Sequence, residues 1–117
     1  MALIRNCEDI LSRDDFEYAI IHVPEWDGDI RIRSLTGKER SEIARMTQVR
    51  KDGDGLFETL LIMAAVDDAG KPIFRKDHLD ALKTKSAAIS QRIGTEVLKI
   101  SGLTSDALPD IESAEKN

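Results

Sequence analysis

The chain has 117 residues, 41% hydrophobic and 33% charged but only 4% aromatic, the balance of one globular domain whose core must be built from Leu, Ile, Val and Ala. A formal net charge of -5 disfavours nucleic acid as a partner, because affinity for phosphate comes mainly from Lys and Arg. The single cysteine, Cys7, leaves neither an internal disulfide nor a C-x-x-C zinc or redox pair.

Targeting signals are equally sparse. The stretch from Met1 to Asn6 is too short for a signal-peptide core and meets charge at once. The longest mainly apolar run, Leu60 to Val66, is far short of the roughly 20 residues that cross a bilayer. The expectation is a protein of a reducing, aqueous compartment with no membrane contact.

In chain order, residues 6–12 can form one or two helical turns. Tyr18 to Val23 is rich in strand formers, and Ile30-Arg31-Ile32-Arg33 alternates apolar with charged. Asp27-Gly28 between them is a type I′ hairpin signal. A two-residue turn there sets Val23 opposite Ile32 and Glu25 opposite Ile30, so Ile21, Val23, Ile30 and Ile32 share one face. Ile20, His22, Trp26, Arg31 and Arg33 then share the other. Pro24 cannot donate to a ladder, which makes the first strand an edge or bends it.

Thr36-Gly37-Lys38-Glu39 has the spacing of a capping box and predicts a helix over about 37–51, with Ile43, Met46 and Val49 inward. Asp52-Gly53-Asp54-Gly55 ends it. The next helix, about 55–67, is apolar nearly all round and belongs at the centre of the core. Asp67 to Pro72 reads as a turn and Ile73-Phe74 as a short strand or bridge. A short helix follows from Lys76 to about Lys85, with Arg75 at its N-cap and Phe74 and Leu79 as a hydrophobic staple. Ser86 caps a last helix with Ile89, Ile93, Val97 and Ile100 on one stripe, and Gly102 suits its C-terminal end. Thr104 to Asn117 holds Pro109, four acids and one Lys. The expected architecture is α+β, mainly α: an N-terminal β-hairpin packed on about four helices as one domain, 1–103, followed by a mobile acidic tail, 104–117.

No catalytic or ligand-binding pattern emerges. The two histidines, His22 and His78, lie on different elements, and no H-x-x-x-H pair exists. With Gly55 as the sixth position of an EF-hand loop, Arg50 and Leu61 would stand where carboxylates are required. No dinucleotide or P-loop glycine motif occurs, and the serines have no nucleophile-elbow context. The chain is therefore read as a non-enzymatic protein that needs no metal, nucleotide or other cofactor and binds another protein.

The candidate contact residues are basic or aromatic. Lys38, Arg40, Arg45, Arg50 and Lys51 give the first long helix a basic bias, and Lys76, Lys83 and Lys85 do so for the third. Such stripes are solvated faces, or they dock an acidic segment, either a partner's or the protein's own tail. Trp26 is the sole Trp, near a hairpin tip on the face of Arg31. It either covers the hairpin by a cation–π contact or anchors a partner. The candidate partner-binding set is Trp26, Arg31, Arg33, Arg40 and Arg45.

The order of these motifs resembles the tail assembly chaperones of long-tailed bacteriophages. The resemblance runs over about residues 8–105, through Val23-Pro24-Glu25-Trp26, Ile30-Arg31-Ile32-Arg33 and Leu35-Thr36-Gly37-Lys38-Glu39-Arg40. It continues through Asp67-Asp68-Ala69-Gly70-Lys71-Pro72-Ile73-Phe74, Leu82-Lys83-Thr84-Lys85-Ser86 and Leu98-Lys99-Ile100-Ser101-Gly102-Leu103. It implies a non-catalytic protein of the host cytoplasm that binds the tape-measure protein, helps recruit tail-tube subunits and can form homo-oligomers. It also implies a longer form made by frameshifting, with which the terminal Lys116-Asn117 is compatible. The alternative reading is a small regulatory or immunity-type protein-binding module.

Overall fold

Strand β1, Tyr18–Val23, and strand β2, Gly28–Arg33, form the expected antiparallel hairpin. Its connection is longer than Asp27-Gly28 alone suggests. Pro24–Trp26 makes a 3₁₀ turn, the Asp27 N–H donates to the Pro24 carbonyl at 3.1 Å, and Asp27 takes the left-handed conformation, φ 56°. Four residues thus turn the chain, and Gly28 begins β2. The pairing becomes Val23 with Gly28, Ile21 with Ile30 and Ala19 with Ile32, which corrects the register expected from a two-residue turn. Pro24 is the physical reason: it has no N–H for the ladder, so β1 stops before it. The correction moves the pairing by an even number of positions, so the face assignments of the strand residues survive, while Trp26 falls in the turn. Val23 and Ile32 are fully buried, and Ala19, Ile21 and Ile30 pack against the same core.

The computed structural model describes residues 3–49 and 54–103. A short helix, α1 (Cys7–Leu11), precedes the hairpin. The Asn6 side chain caps it by accepting the Asp9 N–H at 3.0 Å, and it buries no residue. Helix α2 spans Gly37–Val49, and its capping box is formed as expected. The Glu39 N–H donates to Thr36 Oγ1 at 3.1 Å, and the Thr36 N–H donates to Glu39 Oε1 at 2.9 Å. Ile43 and Thr47 are its buried residues; Val49, expected inward, is 75% exposed. Arg50 and Lys51, the expected end of this helix, lie outside the described residues, as do Asp52 and Gly53.

Helix α3 covers Leu56–Ala64, with Leu56, Leu60, Leu61 and Ala64 buried, and forms the centre of the core as expected. It ends earlier than the apolar run implies. Ala65–Val66 leaves the helix as strand β3 and pairs with Ile32 and Arg31, giving a three-stranded sheet in the order β1-β2-β3. A continuous apolar run carries no period that separates buried helix from buried strand, so the two read as one element in sequence. The 67–71 turn then returns the chain so that Pro72 bridges Val66. The Asp67 carboxylate holds this turn, accepting the N–H groups of Lys71 and Ala69, both at 2.9 Å.

The expected helix from Lys76 is a 3₁₀ turn, Lys76–His78, followed by one α turn, α4 (Leu79–Leu82). Helix α5, Ala87–Ile100, buries Ile89, Ser90, Ile93, Gly94 and Val97 against α3. Ser86 stands at its N-cap without a side-chain bond. Gly102, φ 75°, closes the far end: its N–H donates to the Lys99 carbonyl at 3.1 Å and that of Leu103 to Leu98 at 2.9 Å. The tail, 104–117, lies outside the described residues.

Candidate partner-binding surface

Arg33 is the most heavily bonded of the candidate residues. Its guanidinium donates from Nη1 to Glu39 Oε1 and from Nη2 to Glu39 Oε2, both at 2.9 Å. Nη2 also donates to the Met63 carbonyl at 2.9 Å and Nη1 to that of Ser34 at 2.8 Å. Phe16 covers it, with the guanidinium carbon 4.8 Å from the ring centroid. Only 14% of the Arg33 side chain and 19% of that of Glu39 meets solvent. One side chain on β2 thereby holds the N-terminal turn of α2 and satisfies a carbonyl at the C-terminal end of α3. Burial pushes the Glu39 carboxyl up, but the bonds from Arg33 and Thr36 outweigh it and hold the group below its usual range. The same bond to Glu39 holds Arg33 above its ordinary value.

Arg31 is engaged more lightly. It lies 4.0 Å over the Tyr18 ring, diagonally across the β1–β2 pair, and donates to the Asp67 carbonyl at 3.1 Å. Tyr18 in turn donates its hydroxyl to Asp14 at 2.8 Å. The outer face of the hairpin therefore carries a built row of Phe16, Tyr18, Arg31 and Arg33. Ile20, 69% exposed, lies beside it.

Trp26 leaves the face that its sequence position implies. The 3₁₀ turn rotates it away from Arg31, and it packs half-buried against the core. The neighbouring Glu25 accepts from Arg92 on α5 at 3.0 Å, so the hairpin tip is fastened to the helical layer.

Arg40 and Arg45 are exposed on α2. Arg45 borders an open groove of about 320 Å³ formed with Met46, Val49, Thr59 and Leu79. Its walls come from α2, α3 and the start of α4, and its lining is mostly apolar. A second groove, about 260 Å³, lies on the other side of α4 between Phe74, His78, Leu82 and Lys85. Here His78 Nδ1 accepts the Arg75 N–H at 2.9 Å, so this histidine ring serves as a backbone cap. The α4 grooves escape sequence reading because α4 is too short to show a periodic apolar face. Val49 is the available signal, but helical periodicity assigns it to the core.

Among the described residues, no group of three or more His, Cys, Asp or Glu side chains is placed to hold a metal ion, and no helix is long and apolar enough to cross a membrane. The arrangement offers basic side chains beside apolar recesses, which suits binding of an acidic, amphipathic segment.

No protein-family model matches the chain, and no curated protein matches it in sequence. Among solved structures, the chain is similar to the bacteriophage HK97 tail assembly chaperone. The TM-score is 0.58 at 18% identity, and the match covers 80% of this chain and 90% of that one. The likeness shows a shared fold.

Proposed function

We propose that this protein is a tail assembly chaperone: a non-catalytic binder of the tape-measure protein that helps recruit tail-tube subunits in the host cytoplasm. The observation that carries this reading is the shared fold, which extends over 90% of the HK97 chaperone chain. The order of sequence motifs supports it independently of the fold. The contact surface in this reading is the basic side of α2, Arg40 and Arg45, with the apolar groove beside it. Trp26, Arg31 and Arg33 hold the hairpin that braces this surface, and Arg31 with Ile20 offers a second contact.

Self-association belongs to the same reading. The outer edge of β1 is unpaired among the described residues, and α1 presents Ile10 and Leu11 to solvent. Light scattering at high concentration is expected to show species larger than a monomer.

The deciding experiment is co-expression with a tape-measure protein, the long coiled-coil partner that this reading requires. The chaperone reading expects that partner to move from the insoluble to the soluble fraction and to co-purify. A partner that stays insoluble, or is equally soluble alone, refutes the reading. Arg45→Glu is expected to weaken the complex while leaving the fold intact.

A further inference from the structure

We infer that the open edge of β1 pairs with the β1 edge of a second copy, antiparallel and centred on Ile20, so that two three-stranded sheets become one. The inference deepens the self-association proposed above and rests on it. Its test uses the chain alone and separates this pairing from association through any other surface.

The hairpin determines which main-chain groups face outward. The Ser34 N–H donates to the Glu17 carbonyl at 2.8 Å, so these two residues form a hydrogen-bonded pair that continues the β1–β2 register. Alternation along an antiparallel ladder then turns the main-chain groups of Ala19, Ile21 and Val23 toward β2 and those of Tyr18, Ile20 and His22 away from it. Among the described residues no main-chain bond from another element reaches these outward groups. The opposite edge of the sheet is covered: Pro72 bridges Val66, and the Ile73 N–H donates to the Ala65 carbonyl at 3.2 Å. β1 lacks the usual devices that blunt an edge. Tyr18–Val23 contains no Lys or Pro, and its pairing with β2 runs without a bulge.

The sequence of the strand selects both the occupant and the register. With Ile20 opposite the second copy's Ile20, Tyr18 lies opposite its His22, and every outward N–H and carbonyl of these residues finds a mate. Sliding by two positions one way sets Tyr18 against Pro24, which has no N–H. Sliding the other way sets His22 against Phe16, whose N–H already donates to Asp14 Oδ1 at 3.1 Å. Side chains agree on both faces. Ile20 is 69% exposed in the single chain and covers its own copy across the two-fold axis. On the core face Ala19 meets the second copy's Ile21, and both are only partly buried now, so the two cores become continuous. Tyr18–Val23 contains no Asp, Glu, Lys or Arg, so two copies meet centre to centre without opposed like charges. A strand that matches itself in hydrogen bonds, apolar contact and charge points to a second copy of this chain.

Amide hydrogen exchange and sedimentation of the full chain, measured over a range of concentrations, test this. The amides of Tyr18, Ile20 and His22 are expected to gain protection as concentration rises, whereas those of Ala19 and Ile21, held by β2, are protected throughout. Ile20→Lys sets two ammonium groups opposite each other and removes the apolar contact. It should raise the dissociation constant about tenfold or more, with the melting temperature of the dilute chain unchanged because the side chain is exposed there. Ile20→Glu should do the same. An equal mixture of Ile20→Lys and Ile20→Glu chains should associate more tightly than either alone, a rescue that requires this position to face itself. Three results overturn the inference: outward amides whose protection does not depend on concentration, an association that Ile20→Lys leaves unchanged, or a mixture no tighter than its components. The second would leave self-association standing on another surface. Protection that appears only on adding a tape-measure protein assigns the edge to an extended segment of that partner and also overturns the pairing of copies.

Discussion

Arg33, on β2, directs its donors to α2, to α3 and to the Ser34 carbonyl, and that arrangement predicts how the fold responds to substitution and acid. Removing one member of a largely buried, hydrogen-bonded ion pair leaves the other charge uncompensated, typically costing about 3–5 kcal/mol. Arg33→Met should approach this range in denaturant melts, because it also strands the Met63 carbonyl. Arg33→Lys should recover little, since an ammonium cannot make the two parallel bonds to Glu39. The pH dependence follows from Glu39. Its folded pKa is depressed, so its contribution is present above the unfolded value and is lost as pH falls through the folded one. Stability should therefore decline below the ordinary glutamate range, and Glu39→Gln should be less stable at neutral pH with a shallower decline in acid. Urea midpoints measured from neutral pH down to about pH 3 check this. Sequence locates Thr36 and Glu39 as a capping box and Arg33 as a strand residue. That the three form one cluster is not legible there, because the cluster needs the return of α3 to the sheet. Trp26 departs from expectation for a local reason: Pro24 ends β1, so Trp26 falls in a 3₁₀ turn and no longer alternates with the strand residues.

At the scale of elements, α3 and α5 pack closely at Gly94. A Cβ at Gly94 would stand 2.6 Å from Phe57 Cδ1 and 3.3 Å from Phe57 Cβ. The ring cannot simply swing clear, because its own Cβ is also crowded. Gly94→Ala should therefore destabilise by about 1–3 kcal/mol despite the better helix propensity of Ala. Gly94→Ala with Phe57→Leu should recover part of the loss, as thermal or chemical melts would show. Leu61→Ala, on the buried side of α3, should cost about 2–5 kcal/mol, and a loss under about 1 kcal/mol would mean that α3 is not the centre of the core. The α2 cap, the α3 core helix, the α5 stripe and the Gly102 terminator can all be read in advance because each has a local chemical signature. The β3 strand cannot. Ala65 and Val66 become a strand through their partners Ile32 and Arg31, and no residue within 56–66 signals the change. The hairpin lies between these cases. Alternation fixes its faces, whereas its register depends on how many residues Pro24 forces into the turn.

On the scale of the whole molecule, the layout separates a braced body from an unbraced end. Sheet, α2, α3 and α5 share one core, while α1 buries nothing. Truncation before Asp14 should consequently leave the melting temperature within about a degree or two, while reducing any self-association carried by Ile10 and Leu11; calorimetry and light scattering measure the two effects separately. The Arg33 clamp has a further consequence for motion. Because β2, the start of α2 and the end of α3 meet in one largely buried cluster, opening any of them exposes the ion pair further. Their amide protons should exchange with solvent deuterons together, through one cooperative opening close to the global one. Those of α1, with no such tie, should exchange orders of magnitude sooner. In Arg33→Met the three elements should lose that common rate and open separately, dividing a single unfolding unit into several.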